Sequence, residues 1–92
     1  MNVTREAKIR NRLGMHARAA VKFVQLANKY RSEIKVVKDY NEANGKSIMG
    51  LLMLVAAHGT TMTLICEGDD AEAAVASLAE LVDGGFGEGI DP

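Results

Sequence analysis

Apolar residues in this chain switch repeatedly between alternation by two and recurrence by three and four, and that changing period is the strongest constraint on its fold. Residues 4–10 set Ala7 and Ile9 among charged neighbours, as a strand with one apolar face does. Over residues 17–30, Ala20, Phe23, Val24 and Ala27 recur at helical spacing with Lys22, Gln25 and Asn28 between them. Residues 32–38 alternate around Ile34 and Val36, the next four suit a turn, and residues 43–46 supply a short return strand. Ser47 then stands as the N-cap of an apolar helix over residues 48–57, interrupted by Gly50 and ended by His58 and Gly59. Residues 60–67 alternate Met62, Leu64 and Cys66 as a fourth strand. After Gly68, Asp69 and Asp70 cap and charge a helix whose stripe is Ala74, Val75, Leu78, Leu81 and Val82. The glycine-rich end, residues 84–92, is expected to fray.

The order β-α-β-β-α-β-α predicts an α+β domain, a four-stranded antiparallel sheet covered on one face by three helices. Ninety-two residues make one domain, 1–92, with a single core and no room for an enclosed interdomain cleft. Function is therefore expected on the surface. A net charge of -1 with 4% aromatic residues gives no electrostatic footprint for nucleic acid, which weakens the reading as a small nucleic-acid or ligand module. Cys66 is the only cysteine, so no intramolecular disulfide can form. The charged N-terminus has no signal-like apolar run and no stretch reaches the ~18 apolar residues of a membrane span. A cytoplasmic location is the resulting expectation.

The segment from Asn11 to Ala20, N-R-L-G-M-H-A-R-A-A, puts one histidine at the mouth of the first helix and an arginine two residues later. A helix start offers about four unpaired N–H groups and roughly half a positive charge, so His16 faces an anion site. Imidazole titrates near neutrality and can serve as an uncharged nucleophile. Gly14 permits an unusual backbone just before the helix, and Arg18 carries a planar fork suited to phosphate.

With two motifs, L-G-M-H-A-R-A-A at residues 13–20 and K-S-I-M-G-L-L-M-L at residues 46–54, the chain resembles the HPr family of phosphocarriers in the bacterial phosphotransferase system. The resemblance implies an open-faced β-sandwich and a carrier, not an enzyme in its own right, that needs no cofactor. It implies that His16 takes a phosphoryl group at Nδ1 from enzyme I, itself charged by phosphoenolpyruvate, and passes it to an enzyme IIA partner. The N–H groups of Ala17 and Arg18, with the Arg18 side chain, would meet the phosphate oxygens. Sugar-type members usually read H-A-R-P, whereas Ala19 occupies the proline position here, as in the nitrogen-related regulatory branch. That leaves the acceptor open.

Ser47 carries a second implied role as the target of an HPr serine kinase/phosphorylase, where about two added negative charges would hinder acidic partners. If Leu51, Leu54 and Val55 face the sheet, then Ile48, Met49, Leu52 and part of Met53 point outward, and Ala17, Val21 and Lys22 complete a docking patch. A carrier that shows one face to two partners in turn is expected to be a monomer. Other signals are weaker. Gly45-Lys46-Ser47 ends like a phosphate loop but has Tyr40 where the first glycine belongs. The spacing of His16, His58 and Cys66 matches no metal site, and Glu72 with the two aspartates reads as a helix start.

Overall fold

The computed structural model describes residues 2–88. Strand β1 (Asn2–Lys8) leads to α1 (Ala17–Ala27), then β2 (Glu33–Lys38), β3 (Asn41–Asn44), α2 (Ile48–Met53), β4 (Thr61–Glu67) and α3 (Ala71–Asp83), with a 3-10 turn at Gly85–Gly87. The strands form one antiparallel sheet in the order β1-β4-β2-β3. The path from β1 to β2 therefore passes over β4, and α1 makes that crossing. Register places Ala7 opposite Met62, and Ile34 and Val36 opposite Cys66 and Leu64. All six are buried on the face covered by helices, together with Phe23 from α1, Leu51 from α2 and Leu78 from α3.

Element boundaries differ from the periodic reading where backbone geometry intervenes. Strand β1 stops at Lys8, yet Ile9 stays fully buried because its N–H and C=O bond to Thr60 and Gly59. Helix α1 ends at Ala27, and the helical period continues to Tyr30 only as tighter turns, Lys29 to Leu26 and Tyr30 to Ala27. The β2–β3 hairpin closes through Asp39 and Tyr40, with Asp39 at φ 55, so β3 begins at Asn41. Lys46 falls in the turn after β3; it is not at a strand end, and its ammonium donates to the Tyr30 carbonyl at 2.7 Å.

Helix α2 is shorter than expected. Val55 adopts φ 51 and is 72% exposed, so the chain leaves the helix there and Val55 does not face the sheet. Ala56 turns inward in its place, and His58 lies in the exposed turn before β4, away from the helix end. Asp70 occupies the N-cap position of α3 without capping it. Its carboxylate instead accepts from the Arg31 N–H at 2.8 Å and from the N–H and hydroxyl of Ser32, fastening α3 to the entrance of β2.

Within the glycine-rich end, residues 85–88 turn back onto the core. Gly85, Phe86 and Gly87 take φ 71, 56 and 77 in succession, and this left-handed turn buries Phe86 completely. The remainder of that segment, residues 89–92, lies outside the described residues.

Candidate functional site

His16 reaches its position through a loop held by backbone. The Met15 N–H donates to the Ala56 carbonyl at 2.9 Å, and the Met15 side chain is buried. Gly14 sits at φ 67, and a Cβ there would approach that same carbonyl to 2.5 Å. Both facts demand glycine, so Gly14 sets how the chain enters α1. His16 is the N-cap with extended backbone, φ -80 and ψ 178, and its side chain makes no capping hydrogen bond. The first helical bond runs from Ala20 N–H to His16 C=O, so the N–H groups of Ala17, Arg18 and Ala19 lie ahead of it.

The imidazole is partly open, with 25% of its side chain accessible. Its Nε2 lies 2.5 Å from Oε2 of Glu88, whose side chain is 18% accessible. The other carboxylate oxygen accepts from Asn11 Nδ2 at 2.9 Å, and the same amide donates to the Gly14 carbonyl at 2.9 Å. Burial pushes the Glu88 carboxyl up, but the Asn11 amide, the His16 hydrogen bond and the nearby charges of His16 and Lys22 outweigh it and hold it below the usual range. The carboxylate is thus the stable form beside His16.

Neither Asn11 nor Glu88 stood out in the sequence. The only available signal was the single phenylalanine in the glycine-rich end, which is costly to leave in water and so marks a returning chain.

Arg18 projects from the first turn of α1, exposed and without an ion pair among the described residues. Ala17 and Val21 are exposed on the same helix. Helices α1 and α2 pack together, and α2 presents Ile48, Met49 and Met53 at 40%, 70% and 74% exposure. Two members of the expected patch are placed differently. Leu52 is partly buried against the core, and Lys22 is half-buried with its ammonium on the Phe86 carbonyl at 2.7 Å. Leu13, in the loop before α1, is also exposed, at 64%.

Ser47 caps α2, accepting from the Gly50 N–H at 3.0 Å, and remains half-buried. Cys66 is buried among sheet residues, where burial and the Asp70 charge push its thiol up, and His58 lies in the exposed turn before β4. Among the described residues no group of three metal-ligating side chains assembles, and no helix is long and apolar enough to cross a membrane.

A family model described as "PTS HPr component phosphorylation site" matches residues 3–83. The phosphocarrier protein HPr of Neisseria meningitidis serogroup A is 50% identical over 82 residues, which is 89% of this chain and 92% of that protein. The phosphocarrier protein NPr of Shewanella violacea is 44% identical over 84 residues, 91% of this chain and 92% of that one. Among solved structures, HPr from Bacillus anthracis matches with a TM-score of 0.85 and 38% identity, covering 88% of this chain and 96% of its own.

Proposed function

Because the chain belongs to the HPr family of phosphocarrier proteins, we propose that His16 is its phosphoacceptor, charged by enzyme I and discharged to an enzyme IIA partner in the cytoplasm. The observation that carries this reading is the placement of His16: a partly open imidazole at the start of α1, not consumed as a cap, beside N–H groups that the helix leaves unpaired. In this reading Nδ1 attacks the phosphoryl group, and the Ala17 and Arg18 N–H groups with the Arg18 guanidinium meet its oxygens. An exposed Arg18 suits that task better than a rigid one, because a carrier that bound its product too firmly would not release it.

Docking falls to the apolar surface of Ala17, Val21, Ile48, Met49 and Met53, and the protein works as a monomer that shows this surface to each partner in turn. Ser47 lies at the base of that surface, so a phosphate placed there by a serine kinase/phosphorylase would obstruct acidic partners.

The acceptor branch is a second reading. The similarity extends to both HPr and NPr relatives, and Ala19 is fully buried. Its side chain offers a partner no contact, so exposed docking residues would have to distinguish a sugar-type from a nitrogen-type regulatory partner, while at the phosphate site itself Ala19 supplies an N–H that a proline would lack.

Incubation with enzyme I and phosphoenolpyruvate tests the central reading. Intact mass should show one acid-labile, base-stable phosphate on the wild type and none on His16→Ala. Equal uptake by both proteins would remove His16 from the reaction. Met49→Glu should slow transfer while leaving the unfolding temperature in place, and an unchanged rate would remove the α2 surface from docking.

A further inference from the structure

We infer that Glu88 is a positioning residue for phosphoryl transfer: it keeps the proton of His16 on Nε2 throughout, so that Nδ1 holds the lone pair before transfer and leaves as part of a neutral imidazole afterwards. The inference rests on His16 being the phosphoacceptor.

Two features show that the contact is built into the fold, the anchoring of Glu88 by Asn11 and the turn that delivers it. Glu88 is aimed by both of its oxygens, one on His16 Nε2 and one on the Asn11 amide. Asn11 is 1% accessible and spends its Nδ2 hydrogens on Gly14 and Glu88, leaving its own Oδ1 buried without a partner among the described residues. The turn that delivers Glu88 forces Phe86, an L residue with a large side chain, into the left-handed region, which persists only where the surroundings over-determine it. Burial of that ring and the Lys22 bond to the Phe86 carbonyl supply that determination.

A carboxylate can only accept, so the nitrogen facing it carries the hydrogen. In the neutral ring the other nitrogen, Nδ1, then holds the lone pair. On transfer Nδ1 forms a bond to phosphorus, while the phosphorus–nitrogen bond of the phosphoramidate donor breaks and its electron pair stays on the donor nitrogen. Nδ1 had no proton to lose, and Nε2 keeps its own, so the ring gains one positive charge. That charge develops 2.5 Å from the Glu88 carboxylate. An acceptor fixed in advance stabilises it without reorganisation. When the group moves on, the electron pair of the Nδ1–P bond returns to Nδ1 and a neutral imidazole departs. Were Nε2 deprotonated, the leaving group would be an imidazolate anion, far poorer.

Proton NMR and single-turnover transfer on wild type, Glu88→Gln and Glu88→Ala test the inference. The wild-type Hε2 of His16 should resonate at low field and exchange slowly. Glu88→Ala should lose that signal and transfer about tenfold more slowly at saturating donor, the effect of removing one charge-assisted hydrogen bond. Glu88→Gln keeps a neutral acceptor and should fall between. Amide shifts of α1 and the Phe86 turn report whether each variant keeps the fold. A wild type that takes up no phosphate overturns the carrier reading itself. A wild type that does, matched in rate by a folded Glu88→Ala, overturns the role of Glu88 alone.

Discussion

The ammonium of Lys22 donates to the carbonyl of Phe86 at 2.7 Å, across 64 positions of sequence, and thereby ties the helix that begins at His16 to the turn that ends at Glu88. Phe86 itself contributes more than a tether. It is among the largest fully buried side chains, closing the core where α1 and α3 meet the final turn.

Phe86→Ala should therefore destabilise the protein by about 3–5 kcal/mol, the usual cost of truncating a buried phenylalanine. In a chain of this size that lowers the unfolding midpoint by about 12 °C or more. Calorimetry or thermal circular dichroism reads the shift directly. A change of a degree or two would mean that the end of the chain does fray as its composition suggested.

Val55 lies at the opposite extreme, a β-branched residue held at φ 51 with its side chain 72% in solvent. The left-handed region costs an L residue about 1–2 kcal/mol, and the exposed side chain recovers little of that by burial. Lys38 holds the strained turn from below, donating to the Leu54 and Val55 carbonyls at 3.2 and 3.0 Å. Val55→Gly should release the strain and, after the extra entropy of an unfolded glycine, stabilise by about 0.5–1 kcal/mol. A urea titration with unchanged slope and a higher midpoint is the expected result.

Residues whose role follows from period and local chemistry were legible in the sequence. The stripe Ala20, Phe23, Val24, Ala27 and the alternation Met62, Leu64, Cys66 are buried as their spacing requires, and the element order yields the sheet and its helical layer. The place of His16 at the start of a helix was legible from the pattern, whereas its reading as a phosphoacceptor needed the second motif at residues 46–54 and the resemblance that the two motifs carry together. Asp70 was not, since an aspartate before a helix reads as a cap, and only the tertiary approach of Ser32 turns its carboxylate elsewhere. Val55 was hidden for a related reason. Its helical period continues through the residue at which backbone geometry ends the helix. Glu88 required the most, because its place depends on three successive left-handed residues and a buried ring that no short pattern announces.

The Asp70 carboxyl is held below its ordinary value of 3.8, first by the Ser32 hydroxyl and then by the Arg31 N–H, with burial opposing them. Between the lowered value in the fold and the ordinary value in the unfolded chain, the unfolded state binds more protons, so stability rises with pH. The contribution is complete above the ordinary value and is lost as pH falls through the lowered one. Asp70→Asn should be less stable than wild type at neutral pH, because its amide sets hydrogens against the N–H donors it replaces partners for. The gap should narrow steadily below about pH 4. Denaturant titrations of both proteins across that range measure it, and a gap that stays constant would mean that ionisation of Asp70 is not what fastens β2 to α3.

Ser47 separates two roles that one substitution can divide. As a cap it gives the Gly50 N–H a partner at 3.0 Å, and α2 has only six residues over which to share the loss of it. Ser47→Ala should cost about 1 kcal/mol of stability with little change in transfer, because the alanine leaves the apolar surface uncharged. Ser47→Asp keeps a good capping oxygen and adds a negative charge between Lys46 and the exposed Ile48 and Met49. Stability should stay within about 0.5 kcal/mol of wild type while phosphoryl transfer slows several-fold, more so at low ionic strength, where the charge is least screened. Measuring unfolding and transfer on the same preparations distinguishes the outcomes. Slower transfer in Ser47→Ala as well would trace the effect to a loosened α2, whereas a fast Ser47→Asp would place Ser47 outside the docking surface.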